Sequence, residues 1–299
     1  MTIAAQATPA PASPAQKSII DKAIASVGDI ATLPEVTVKI IEIVEDPRST
    51  ARDLHEVIKK DPALAAKVLK VVNSAFYGLP GQVASVDRAV VLLGLAAVKN
   101  IAIATSVARM FKGGNLAPGH SAKDLWRHSV GVAVAAKLIG KAGGEPAGQD
   151  ELFLAGLIHD LGILIERQVF PNQLAEVIKR CAARKGTFLA LESELIGADH
   201  QAFGDALTTR WKFPRHLRAV VGFHHTPERL SAELRRIVSI IHAADVLCCT
   251  EKVGFCLTAA DCALDDDLLS SIDLSREAME NVRQQFQAEL TSAEAVLEG

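Results

Sequence analysis

From Ile19 onward the chain is a succession of helix starts and stops, and that punctuation limits the fold more than any other feature. Asp61-Pro62 places an N-cap carboxylate before a proline whose missing N–H costs nothing at the first helical position. Leu64, Val68, Leu69 and Val72 then form one apolar face. Ser85 opens a further helix that Gly94 ends, and the next covers residues 96–111. Lys112-Gly113-Gly114-Asn115, followed by Pro118-Gly119, is the main internal breaker. Beyond it, helices are expected over residues 124–142, 150–168, from Pro171, and over 188–196, 201–211, 214–225 and 233–250. Met279, Val282, Phe286, Leu290 and Ala293 recur at helical spacing and predict an amphipathic C-terminal helix. Alternating strand patterns and internal repeats are absent. The expected fold is all-α.

Composition agrees, since hydrophobic residues make up 49% and aromatics only 4%, which favours helix-on-helix packing. A length of 299 residues suits one large domain or two intimate ones. The longest apolar stretch, residues 89–111, is interrupted by Lys99 and Asn100. A membrane span wants about 20 apolar residues without charge, so a buried helix pair is expected and no membrane partner. A net charge of −3 exerts no pull toward nucleic acid, and no helix-turn-helix reading head is evident. The five cysteines form no CxxC pair, and no secretory segment opens the chain, so reduced thiols and a cytoplasmic location are expected. Residues 1–18, poor in large apolar groups, read as a flexible tail. Helical regions 19–112 and 120–250 follow, then a C-terminal extension, 251–299. An apolar groove around Asn73 to Tyr77 is a candidate contact surface, with simple core packing as the alternative.

The polar residues of the second half carry the chemistry. Asp124 and His128 lie one helical turn apart on the same face. His159-Asp160 follows the apolar run 152–158, His200 precedes Gln-Ala-Phe-Gly204, and His224-His225 ends a helix before Thr226-Pro227. Asp245 sits amid Ile, Ala, Val and Leu, three residues after His242. Imidazole and carboxylate together suit Fe, Mn or Zn, and helical bundles draw such ligands from several helices. A carboxylate left unpaired in an apolar helix costs several kcal/mol; a bound cation removes that cost, as does a local donor. Asp124 reads equally as a helix cap. His216 and His242 read as satisfied core or surface side chains, and His55 and His120 as solvated ones.

In order along the chain, these segments resemble the HDOD family, the HD-related output domain of bacterial signalling proteins. The resemblance rests on Leu33-Pro34, Asp46-Pro47, Lys60-Asp61-Pro62, Val72-Asn73-Ser74-Ala75-Phe76-Tyr77-Gly78 and Leu93-Gly94. In the second half it rests on Leu125-Trp126-Arg127-His128-Ser129, Gly156-Leu157-Ile158-His159-Asp160-Leu161-Gly162, Ala198-Asp199-His200, Trp211-Lys212-Phe213-Pro214 and His224-His225-Thr226-Pro227. It implies an N-terminal helical subdomain packed on an HD-like helical subdomain. The metal set of the HD superfamily maps onto His128, His159, Asp160 and Asp245. His200, His224 and His225 are similar to the added ligands of related cyclic-di-GMP phosphodiesterases, with Asp124 at the place of an added carboxylate. Those enzymes follow the doublet with Gly-Lys, whereas here Gly162 precedes Ile163, and the cation that would stabilise phosphate charge is lost.

The resemblance therefore implies a regulator that acts through a signalling protein partner and has a metal-binding pocket. The alternative is a metal-dependent phosphohydrolase acting on a phosphate ester or a cyclic mono- or dinucleotide. In it, Asp160 would bridge ions and accept a proton.

Overall fold

The computed structural model describes residues 13–28, 35–45, 48–74, 77–145, 148–259 and 261–297. Among them the first half runs α1 (Pro14–Ser26), α2 (Glu35–Glu45), α3 (Ala51–Ile58), α4 (Pro62–Val72), α5 (Val86–Leu93) and α6 (Leu95–Val107), then a 3-10 turn, Ala108–Phe111. The expected starts hold: Asp61 Oδ1 accepts from Leu64 N at 2.9 Å and Ser85 Oγ from Arg88 N at 3.2 Å. Helix α1 starts inside the expected tail, because Ser13 Oγ accepts from Gln16 N at 3.2 Å and Pro14 takes the first helical position. Residues 1–12 of that tail, Leu33-Pro34, Asp46-Pro47 and Ala75-Phe76 lie outside the described residues.

The second half begins with strands β1 (Asn115–Ala117) and β2 (His120–Ser121), a minimal antiparallel hairpin around Pro118-Gly119. It is too short and irregular to leave an alternating pattern in the sequence. Then come α7 (Ala122–Ala142), α8 (Gln149–Ile158), α9 (Leu161–Val169), α10 (Pro171–Ala182), α11 (Phe188–Leu195), α12 (His200–Arg210), α13 (Arg215–Phe223), α14 (Ala232–Thr250), α15 (Asp266–Ser271) and α16 (Arg276–Leu297). The fold is all-α apart from that hairpin.

Helix α7 is the hub of this half, packed by α8, α14 and α16. Helix α16 buries the predicted stripe of Met279, Val282, Phe286, Leu290 and Ala293. In the first half α6 plays the same part, touching α2, α4 and α5, and it also packs on α8 across the two halves. Lys99 and Asn100 are buried within α6, and no helix among the described residues is long and apolar enough to cross a membrane. Helix α1 packs on α9 and α12 of the second half.

Around the expected contact groove, Asn73 is a loop clamp. Its Nδ2 donates to Leu69 O and Val83 O, both at 2.8 Å, and its Oδ1 accepts from Val83 N at 2.6 Å. Tyr77 reaches Asp150 Oδ1 at 3.4 Å, tying the first half to the start of α8.

One break matters most for the site. The periodicity predicts a continuous helix over 150–168, but the chain leaves helical geometry at Asp160 (φ −97, ψ 18) and restarts as α9. Side chains of adjacent residues in an unbroken helix point about 100° apart. The break lets His159 and Asp160 turn toward the same interior point.

Candidate metal centre

Five helical segments converge on one internal point. His128 comes from the middle of α7, His159 and Asp160 from the α8–α9 junction, and His200 from the first position of α12. His224 and His225 follow the end of α13, and Asp245 comes from the interior of α14. His128, His159, Asp160, His200, His224 and Asp245 are all 0% exposed. The His225 side chain is 4% exposed.

Asp160 stands between two groups of ligands. Its Oδ2 lies 3.3 Å from His159 Nε2 and 3.8 Å from His128 Nε2. Its Oδ1 lies 3.4 Å from both His200 Nε2 and His224 Nε2. Asp245 closes the set, with Oδ1 at 3.1 Å from His128 Nε2 and Oδ2 at 3.7 Å from His225 Nδ1. Within His128, His159 and Asp245, and again within Asp160, His200, His224 and His225, one ligand atom per residue lies within 4.8 Å of all the others.

The imidazoles are oriented from behind. His159 Nδ1 donates to Gly156 O at 2.7 Å, His224 Nδ1 to Val220 O at 3.2 Å and His128 Nδ1 to Val253 O at 3.3 Å. His200 Nδ1 faces Glu192 Oε1 and Oε2 at 2.8 and 2.9 Å. A ring that spends its Nδ1 proton outward presents the Nε2 lone pair inward, the usual outer-shell arrangement of a metal-bound histidine. His128 Nε2, His159 Nε2, both Asp160 oxygens, both His225 nitrogens and Asp245 Oδ2 have no well-formed hydrogen bond. So many buried polar atoms aimed at one another and left unsatisfied are what a cation would resolve. The residues present fit one or two divalent ions.

The electrostatics reflect the same crowding. Burial alone would raise Asp160, but His159, His224 and His200 hold its carboxyl well below the usual range. Burial acts likewise on Asp245, and the His128 imidazole 3.1 Å from its Oδ1 overcomes it. Burial disfavours charge on His128, yet Asp245, Cys256 and Asp160 lift it to about 10. His224 is pushed down to about 4, first by burial, and burial also takes His225 well below its ordinary value.

Asp124 stays outside this centre. It is the third helical residue of α7 and closes a capping box with Ser121, its Oδ2 accepting from Ser121 N and Oγ, both at 2.7 Å. Its carboxylate is spent on the helix end, and Ser121 rather than Asp124 is the N-cap. His242 faces His225 with ring centroids 6.2 Å apart but joins neither group. His216 pairs with Glu151 at 2.5 Å and His55 with Asp87 at 2.9 Å. Ile163, where a lysine would follow Gly162, is fully buried.

The sequence reading missed two features. Behind His200, Glu192 and Glu166 are both 0% exposed, and burial raises both carboxyls well above the usual range. Beside His128 stand Cys249 and Cys256. A Glu in the middle of an otherwise apolar segment, as in Leu164-Ile165-Glu166, was the only available signal for the first.

The chain is similar to known proteins over most of its length. An uncharacterized protein of Treponema pallidum (strain Nichols) is 26% identical over 229 residues, 75% of this chain. The chain spans only 44% of that relative's length. An HDOD domain protein of unknown function from Geobacter sulfurreducens superposes with a TM-score of 0.79 at 22% identity, covering 94% of this chain and 98% of its own. A protein of Marinobacter aquaeolei VT8, provisionally named a signal transduction protein, gives 0.76 at 23% identity, covering 95% of this chain and 65% of its own. A provisionally named phosphohydrolase of Shewanella amazonensis SB2B gives 0.71 at 21% identity, covering 93% and 98%. At these identities the likenesses establish the fold. The HDOD domain profile matches residues 30–227, two thirds of the chain and the span that holds all but one of the converging ligands, and the chain belongs to the HDOD domain family.

Proposed function

We propose that this chain is a signal-transduction regulator acting through protein contacts, and that its enclosed histidine–carboxylate centre holds divalent transition metal, Fe, Mn or Zn, as a structural or sensing element. The observation that carries this reading is the enclosure itself. The ligand set is nearly complete, yet six of its seven residues have no exposed surface and the seventh almost none. An ion there would supply the positive charge that two buried carboxylates require, while a phosphodiester has no path to Asp160 in this conformation. The apolar Ile163 after Gly162 agrees, since it gives no charge to a phosphate.

A second reading, a metal-dependent phosphohydrolase, is favoured by the placing of Asp160 between two ligand groups, the position of a carboxylate that bridges two ions. In it the chain's own part would be to hold the ions and to accept a proton at Asp160.

One experiment separates them. The protein is purified anaerobically, its metal content measured, and bis(p-nitrophenyl) phosphate hydrolysis assayed with Mn(II) or Fe(II), for wild type and Asp160→Ala. Bound metal, a lower melting temperature after chelation and no turnover are expected. Turnover that disappears in Asp160→Ala overturns the regulator reading. A metal-free protein whose stability is unchanged in His159→Ala overturns the metal centre.

A further inference from the structure

The end of α14 and the turn after it bring two thiols together against the outer side of the histidine centre. Cys249 lies in the last turn of α14, with Sγ 3.6 Å from Asp245 Oδ1. The chain then reverses. Lys252 (φ 57) and Gly254 (φ 68) take left-handed conformations, and Val253 N donates back to Cys248 O at 3.0 Å. A side chain at position 254 is excluded, because a Cβ would stand 2.3 Å from Asp124 O and 2.5 Å from His128 N. Phe255 N donates to Asp124 O at 3.0 Å, pinning the returning strand onto α7. Cys256 therefore arrives beside both Cys249 and His128, its thiol donating to Val253 O at 3.2 Å. That same carbonyl accepts from His128 Nδ1.

We propose that Cys249, Cys256 and His128 form a second binding site, for a thiophilic ion such as Zn(II), that shares His128 with the histidine–carboxylate centre. One ligand atom from each of the three lies within 4.8 Å of the other two. Two thiolates bound tetrahedrally at about 2.3 Å stand about 3.8 Å apart, so only small side-chain rotations are needed. Two sulfurs and one imidazole select soft or borderline ions, whereas carboxylate-rich sets also accept Mn and Fe(II). Both cysteines are partly exposed residues, whereas six of the seven residues of the centre behind them have no exposed surface. His128 belongs to both sets. It is the physical link through which an ion at the thiols is felt by Asp245, 3.1 Å from its Nε2.

The two sites share His128, and the thiols are what the test uses to keep them apart. The full chain is titrated with Cd(II), following the ultraviolet thiolate-to-metal charge-transfer band. Wild type is expected to saturate at one thiolate-bound ion, and Cys249→Ser and Cys256→Ser to lose about half the band and to bind at least about tenfold more weakly. Cys262→Ser, which removes an exposed thiol, is expected to keep the full band. A band unchanged in both Cys249→Ser and Cys256→Ser overturns the site. In wild type, Zn(II) is expected to shield Cys249 and Cys256 from alkylation, read by peptide mass spectrometry. Equal alkylation with and without Zn(II) overturns the site even if the serine variants fail to fold. Mn(II) content of the folded variants reports on the enclosed centre alone, so its absence there leaves the thiol site standing.

Discussion

Replacing Gly162 by alanine tests whether the centre is held by backbone contact rather than by its ligands alone. Gly162 follows the His159-Asp160 break and starts α9 against the first residue of α12. A Cβ there would lie 1.8 Å from His200 O and 2.6 Å from His200 C. Real Cβ atoms stay beyond 3.0 Å, so the two helix starts must separate by about 1.2 Å (from 1.8 to 3.0 Å). Both starts are buried, and the atoms a Cβ would strike are backbone, so no flexible side chain can absorb the shift. Overpacking of this kind costs about 3 kcal/mol, at the upper end of its usual range. The displacement falls on His200, whose Nε2 is 3.4 Å from Asp160 Oδ1 and 3.3 Å from His224 Nε2. Metal content is therefore expected to fall with stability. Urea unfolding read at constant slope gives the first quantity, and elemental analysis of the folded variant gives the second. Gly28→Ala, where a Cβ meets nothing within 4 Å, is the control. A Gly162→Ala protein within about 0.5 kcal/mol of wild type, with full metal content, would refute the reasoning.

Two further outcomes follow from the buried charges. Burial and the neighbouring Glu192 raise the Glu166 carboxyl, so it is neutral where a free glutamate is ionised. A carboxyl raised on folding contributes stability that is complete below its unfolded value and lost as pH rises toward the folded one. Glu166→Gln is thus expected to stay within about 1 kcal/mol of wild type at mildly acid pH and to flatten the decline in urea midpoint as pH increases; a steeper decline than wild type contradicts this. His128, raised to about 10 in the metal-free chain, is protonated at neutral pH, and its stabilising pairing with Asp245 is lost only as pH climbs through that value. A metal at Nε2 displaces this proton, so calorimetric titration at neutral pH in buffers of different ionisation enthalpy should report about one proton released per ion bound there. His128→Asn should abolish the release, and release unchanged in that variant would place the proton elsewhere.

The helices were legible because they rest on local signals: Asp61-Pro62, Ser85 and the 279–293 stripe each act within a turn or two of themselves. The break at Asp160 was not, since Leu161 to Ile165 continue the apolar run straight across it. The histidines and Asp245 stood out as polar residues in apolar company, a cost visible in sequence. Asp124, singled out by its one-turn spacing from His128 and by the resemblance, was absorbed by Ser121, because a first-turn carboxylate has a local use that a mid-helix one lacks. Glu192 stands eight residues before His200, and Cys256 reaches His128 only through the turn after α14, so no regular spacing announced these contacts.

Enclosure also sets a condition that any catalytic account must meet. The only residue of the centre with exposed side-chain surface is His225, at the turn that follows α13. Its N–H donates to Gln201 Oε1 at 2.9 Å, and Phe223 and His242 beside it are only partly buried. A substrate phosphate would have to enter there, which means displacing the α13 turn that also positions His224. Opening the door would thus disturb one ligand of the pair facing Asp160 Oδ1. A centre whose entrance and whose ligands are the same few residues is poorly arranged for turnover and well arranged to couple metal occupancy to the position of a surface turn. That coupling is what the proposed regulator reading would use.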